Sequence, residues 1–152
     1  MYINLILLIL FRNIMDLQGK IILEKWGEEA CCLGWVSVPT VLMFAQSDLK
    51  LSSSELNVLL NLLMHWWGKD EKPYPSQAAI SYRSGLAPKT VQRALHSLEA
   101  KGLIGKISTA RSNSVTRGRN YYDLEPLVKK LNQMAPIISN RLKKNQEIHS
   151  VK

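Results

Sequence analysis

Gly85 and Pro88 stand three residues apart, and together they require one helix to end and another to begin. Glycine reaches positive φ without steric cost, so Gly85 suits the turn that closes the first helix. Proline at a first helical position loses an N–H that would have no partner anyway, so Pro88 opens the second. The stretch Pro75–Gly102, PSQAAISYRSGLAPKTVQRALHSLEAKG, therefore reads as two short helices around a tight turn. Ser76 is the expected N-cap of the first, with Ala79 and Ile80 turned inward. In the second, Val91, Ala94, Leu95 and Leu98 recur at i, i+3, i+4 and i+7 as one apolar stripe. Lys89, Thr90, Gln92, Arg93, His96 and Ser97 are left to point outward. Gly102 is the expected C′ residue, and Leu103 supplies the apolar contact beyond it.

Two helices, a glycine turn and a basic outer face describe a helix-turn-helix. The residues resemble the winged helix-turn-helix regulators of bacteria, their plasmids and phages. The likeness rests on P-S-Q at the start, small Ser81 four residues before Gly85, then P-K-T-V-Q-R-A-L and L-E-A-K-G-L-I. One departure is Ala87, where that family usually has a Ser or Thr cap. The missing cap costs the second helix about 1 kcal/mol.

Charge agrees with the resemblance. The first 68 residues carry four basic and six acidic side chains, and residues 69–152 carry sixteen and six. A half-chain so basic calls either for a polyanionic partner, nucleic acid or an anionic membrane surface, or for simple solvation of its charge. At 152 residues and 46% hydrophobic, the chain is long enough and apolar enough for one core with appendages. The expected fold class is mainly α with a small β-hairpin wing: a three-helix core plus wing. The expected organisation is an N-terminal extension over 1–34, a winged helix-turn-helix over 35–124, and a C-terminal helix and basic tail over 125–152.

The run from Ile3 to Phe11 is too short to span a membrane, and no positive charge precedes it as in a signal peptide. Three readings stand: an element docked on the domain, a dimer contact, or upstream sequence from a misassigned start. Ile21–Leu23 is a candidate strand. Cys31 and Cys32 are adjacent, a spacing that fits neither a zinc site nor a redox motif, so two buried thiols in a reducing cytoplasm are expected. The histidines are isolated, and there is no phosphate loop, metalloprotease motif or nucleophile elbow. The sequence thus offers no catalytic residue, metal site, cofactor or identifiable small-molecule ligand, and the chain reads as a non-enzyme.

Val36–Val38 is a candidate short strand and Val41–Ala45 a helical turn. Ser52–Glu55 forms a capping box with a staple between Leu51 and Leu56. The helix that follows is apolar nearly all round, with Leu56, Leu59, Leu60, Leu63, Met64 and Trp67 on one side. Such a helix is buried or packs on two partners, and Trp66 and Trp67 are expected in core or interface. After Gly102, Leu103–Ser108 and Asn120–Leu124 read as the strands of the wing. The 11 residues between them include Arg111, Arg117 and Arg119 and no acid. Glu125–Met134 reads as a further helix that Pro136 interrupts. Ile137, Ile138 and Leu142 are placed to resume it, with fraying expected beyond about Lys144.

The resemblance implies sequence-specific binding of double-stranded DNA and regulation of transcription, by a cytoplasmic homodimer. The second helix, 88–101, would lie in the major groove. Arg93 suits guanine and Gln92 adenine, with Lys89, Thr90 and His96 beside them. Ser76, Gln77, Lys101 and Lys106 would meet the backbone, and the wing arginines the backbone or minor groove. Two alternatives stay open: a plasmid or phage replication-initiation or maintenance protein using the same module, and a winged helix serving as a protein-interaction module.

Overall fold

Ser52 and Glu55 satisfy each other at the head of the helix that organises the second half of the chain. Glu55 N–H donates to Ser52 Oγ at 3.3 Å, and Ser52 N–H donates to Glu55 Oε2 at 2.7 Å. Both halves of the expected capping box are therefore formed. The computed structural model describes residues 17, 19–112, 114–115 and 118–150, with side chains as far as Lys144. The apolar run Ile3–Phe11 and Arg117 lie outside the described residues. The chain divides into two units between Trp35 and Val36.

In the first unit, 19–26 is helical (α1), and α2 follows at Glu28–Cys31. The expectation of a strand at Ile21–Leu23 is thus corrected. Lys20, Glu24 and Lys25 around it are good helix formers, and no strand among the described residues of this unit could pair with it. Cys31 and Cys32 are free thiols, and Cys32 is exposed rather than buried.

The second unit begins with extended chain. Val36–Val38 has no sheet partner among the described residues and is not a strand. Then come α3 (Thr40–Ala45), α4 (Ser53–Leu63), α5 (Gln77–Ser84) and α6 (Pro88–Ala100). Strands β1 (Gly105–Ile107) and β2 (Tyr121–Asp123) form an antiparallel hairpin with Lys106 opposite Tyr122 and Ile107 opposite Tyr121. The helix α7 (Glu125–Ser150) closes the chain. The core gathers Leu42 and Ala45, Val58, Leu59 and Leu62, Ile80, and the whole predicted stripe of α6. Leu103, Ile104, Tyr122 and Leu124 seal it from the hairpin side.

Two expectations about α4 change. Its buried line is Glu55, Val58, Leu59 and Leu62, while Leu56, Leu60, Leu63 and Met64 are only half-buried. Trp66 packs against the core, but Trp67 is 75% exposed and belongs to neither core nor intramolecular interface. Pro136 does not interrupt α7, which runs straight through it. Leu127, Leu131 and Ile138 are buried along one line, with Met134 and Leu142 packed beside them. That line continues across the exposed proline and rests on α3. A proline inside a helix costs about 3 kcal/mol. Burying one isoleucine returns about 1.5–3 kcal/mol, so Ile138 with its two neighbours outweighs the proline. The backbone stays helical to Ser150, beyond the point where fraying is expected.

Candidate nucleic-acid interface

The turn between α5 and α6 is built by serines and one glycine. Ser76 Oγ caps α5 by accepting from Ala79 N–H at 3.1 Å. Gly85 ends it at φ 68° in the left-handed region. Ser81 Oγ donates to Leu86 O at 2.6 Å, and Ser84 Oγ donates to Ile80 O at 2.6 Å while accepting from Leu86 N–H at 3.3 Å. These bonds fix how the second helix leaves the first. Ala87 heads α6 without a side-chain cap, as its sequence implies, and only its carbonyl serves, accepting from Thr90 and Val91 N–H. At the far end Gly102 sits at φ 65°. Its N–H donates to Glu99 O, and that of Leu103 donates to Leu98 O, which is a Schellman ending.

With Val91, Ala94, Leu95 and Leu98 buried, the opposite side of α6 is set. Lys89, Gln92, Arg93 and His96 are exposed and lie at i, i+3, i+4 and i+7. Gln92, Arg93 and His96 line a groove of about 530 Å³, whose other side is Gln77 at the head of α5 and Lys106 on β1. Five of the residues singled out from sequence thus converge. Arg93 and Lys106 make no ion pair among the described residues. Lys89 and Thr90 stand at the start of α6, outside the groove lining.

The groove wall is held from behind by Tyr122, only 1% exposed on β2. Burial raises its phenol pKa, and hydrogen bonding with Asn120 and Gln77 opposes that. Tyr122 N–H also donates to Pro73 O at 2.8 Å. One residue therefore joins the hairpin to the approach to α5. Sequence reading missed Tyr122 as a tether, and missed Glu99, which also lines the groove. The spacing Gln92, His96, Glu99 would have found the acid.

Lys101 has a different place from the one expected of it. Its Nζ donates to Glu55 Oε1 and Oε2 at 2.6 and 2.7 Å and to Lys50 O at 2.6 Å. Glu55 is 4% exposed. Burial pushes its carboxyl up, but hydrogen bonds from Lys101, Ser97 and Ser52 outweigh this and lower its pKa to about 2. The ammonium thus locks the end of α6 to the head of α4 and has no free donor to offer a phosphate. The remaining wing arginines do not enter the groove. Arg111 is exposed and lies across the loop from Gly118, where an added Cβ would come within 3.0 Å of Arg111 Cγ. Arg119 lines a separate cleft on the other face of the hairpin.

Among the described residues, no cluster of His, Cys, Asp and Glu could hold a metal ion, and no helix is long and apolar enough to cross a membrane.

Residues 49–104 match a family model described as a helix-turn-helix domain. Among solved structures, the N-terminal domain of DnaD protein from Geobacillus kaustophilus is similar, with TM-score 0.54 and 22% identity over 76% of this chain and 93% of that one. A MepR–DNA complex from S. aureus gives TM-score 0.43 and 19% identity over 73% and 82%. MarR gives 0.41 and 15% over 89% and 79%. No curated protein matches the sequence. The matched segment contains both helices of the turn and the buried stripe between them, and the β1–β2 hairpin follows directly. Residues 49–104 are similar to a helix-turn-helix domain, and with the hairpin that follows them the chain has the winged helix-turn-helix fold.

Proposed function

We propose that this protein binds double-stranded DNA in a sequence-specific manner and regulates transcription. The observation that carries the reading is the groove itself. Gln92 and Arg93, the two side chains best suited to paired hydrogen bonds with adenine and guanine, stand side by side on an exposed helix face. Gln77 and Lys106 flank them with a polar and a cationic group. Helix α6 enters the major groove, and Ser76, Gln77 and Lys106 position it on the backbone. Lys89 and Thr90 meet the phosphate nearest the helix start. The exposed Arg111 adds attraction from the wing. Glu99 excludes phosphate from one end of the groove and so helps to set the register.

The functional form is a homodimer, since a single recognition helix rarely gives specific affinity on a long genome. Selection from random duplex DNA at physiological salt tests both points. An inverted repeat with half-sites about one helical turn apart is expected, and Arg93→Ala should relax one position of each half-site. Absence of any enriched sequence, with binding retained, would remove the specific reading. Absence of binding would leave a protein-interaction module.

A further inference from the structure

The hairpin has a second exposed face. Ile107 and Tyr121 are register partners one residue along from Lys106 and Tyr122. Strand alternation therefore turns them away from the recognition groove. With Trp67 and Tyr74 they line a cleft between the hairpin and the segment that follows α4.

This cleft leaves apolar surface bare. Trp67 is 75% exposed, Ile107 43% and Tyr74 38%, and Tyr74 meets Tyr121 edge to face with centroids 5.4 Å apart. Those exposures amount to on the order of 350 Å² of side chain, a size at which the largest apolar patch of a soluble protein often serves a contact. The two banks carry opposite charge. Asp70 and Glu71 stand on the segment after α4, and Arg119 stands in the hairpin loop. None of the three has an ion-pair partner among the described residues, and Lys72, next to the acids in sequence, is taken by Asp123 at 3.0 Å.

We propose that this face is where two copies of the chain meet. A small anion would leave both carboxylates unmatched, and a small cation would leave Arg119 unmatched. A patch with acid on one bank, base on the other and a bare indole between them is complementary to itself under a two-fold rotation. That rotation sets Asp70 and Glu71 of each copy against Arg119 of the other. It also packs the two Trp67 indoles over Ile107 and the Tyr74–Tyr121 pair. The area agrees. Contacts between identical copies are about 65% apolar, so the patch implies about 1,100 Å² over both copies, above the ~1,000 Å² of a specific interface and below the ~1,600 Å² of a standard one. The contact is therefore reversible, with a Kd in the micromolar range. The indole is its anchor, and the charge pairs fix the register of the two copies. The recognition groove lies on the other face of the hairpin, so the contact leaves it open. This interface presupposes the homodimer proposed for the protein and is independent of any DNA.

Sedimentation equilibrium of the full chain without DNA, over a concentration series to about 0.1 mM, tests the interface. A monomer–dimer equilibrium is expected, weakened about thirtyfold by Trp67→Ala. Asp70→Lys with Glu71→Lys in one variant, and Arg119→Glu in a second, should each be monomeric alone, because like charges then face each other. Mixed in equal amounts, the two should dimerise again, because the exchanged charges match across a two-fold contact. All four side chains are exposed, so thermal midpoints measured below the dimerisation range should match the wild type. A wild-type chain that stays monomeric overturns the homodimer and this interface together. Dimers of unchanged strength in Trp67→Ala and in both charge variants keep the homodimer and overturn this face as its seat. Charge variants that are monomeric apart and remain so when mixed overturn the two-fold pairing.

Discussion

Lys101 Nζ lies 2.6 Å from Glu55 Oε1 and 2.7 Å from Glu55 Oε2, across 46 residues of sequence. This pair joins the C-terminal end of α6 to the first turn of α4. Because Glu55 also completes the capping box, one carboxylate serves both the start of one helix and the end of another.

The pair makes stability depend on acid. The Glu55 carboxyl is lowered from an ordinary 4.5 to about 2 in the folded chain. A depressed folded value means stabilisation that is present in full above about pH 4.5 and lost as pH falls toward 2. The contribution is at most about 3 kcal/mol. Urea unfolding at pH 7 and pH 3 should show this loss, and Glu55→Gln should be less stable at pH 7 with a flatter acid limb. An unaltered acid limb in the variant would show that other carboxylates govern the transition.

Lys101 and Lys106 should separate cleanly on DNA. Lys101→Met is expected to lower stability by about 2 kcal/mol, less than the ~3–5 for breaking a fully buried pair, because Lys101 keeps 28% of its side chain exposed. Its slope of log K against log salt should match that of the wild type. Lys106→Ala should leave stability alone and reduce that slope by about 1. A reduced slope for the Lys101 variant would mean that the ammonium leaves Glu55 to meet a phosphate.

The turn offers two substitutions of opposite sign. Gly85→Ala forces a Cβ into the left-handed region at φ 68° but meets no atom within 4 Å. Its cost is therefore backbone strain alone, about 1–2 kcal/mol. Ala87 has φ −58° and ψ 145°, an extended conformation suited to a cap, and lacks only the side-chain acceptor. Ala87→Ser should raise stability by about 1 kcal/mol. Thermal melts of the two single variants check both signs.

Pro136→Ala restores a donor to the interior of α7 at an exposed position. An increase in stability of about 1–3 kcal/mol is expected, with more helical signal by circular dichroism. No gain would mean that the helix bends at the proline in a way the core requires.

Much of this fold is legible in the chain because its signals are local. The Ser76 cap, the Gly85 turn, the Pro88 start, the α6 stripe and the Gly102 ending each depend on residues a few positions apart, and each forms. The hairpin strands follow from alternation on either side of a polar loop. What stays hidden is non-local. Nothing near Glu55 announces that its charge will meet Lys101, so an acid on the buried line of α4 looks like a surface residue. Trp67 reads as core by composition, yet the break before Gly68 carries it out to solvent. Pro136 reads as a stop because the surface of α3 that carries α7 past it comes from 90 residues earlier.

Tyr122 has a consequence for the thermodynamics of recognition. Its phenol holds Gln77 and its backbone holds Pro73, so the Gln77–Lys106 side of the groove is already tied to the approach to α5. Little polypeptide then needs to be ordered on contact, and the heat-capacity change of association should reflect only the apolar surface covered at the contact. On the proposed DNA-binding reading, this side of the groove would be presented preformed, and the adjustment to fit would fall to the opposite side and to the bending of the DNA.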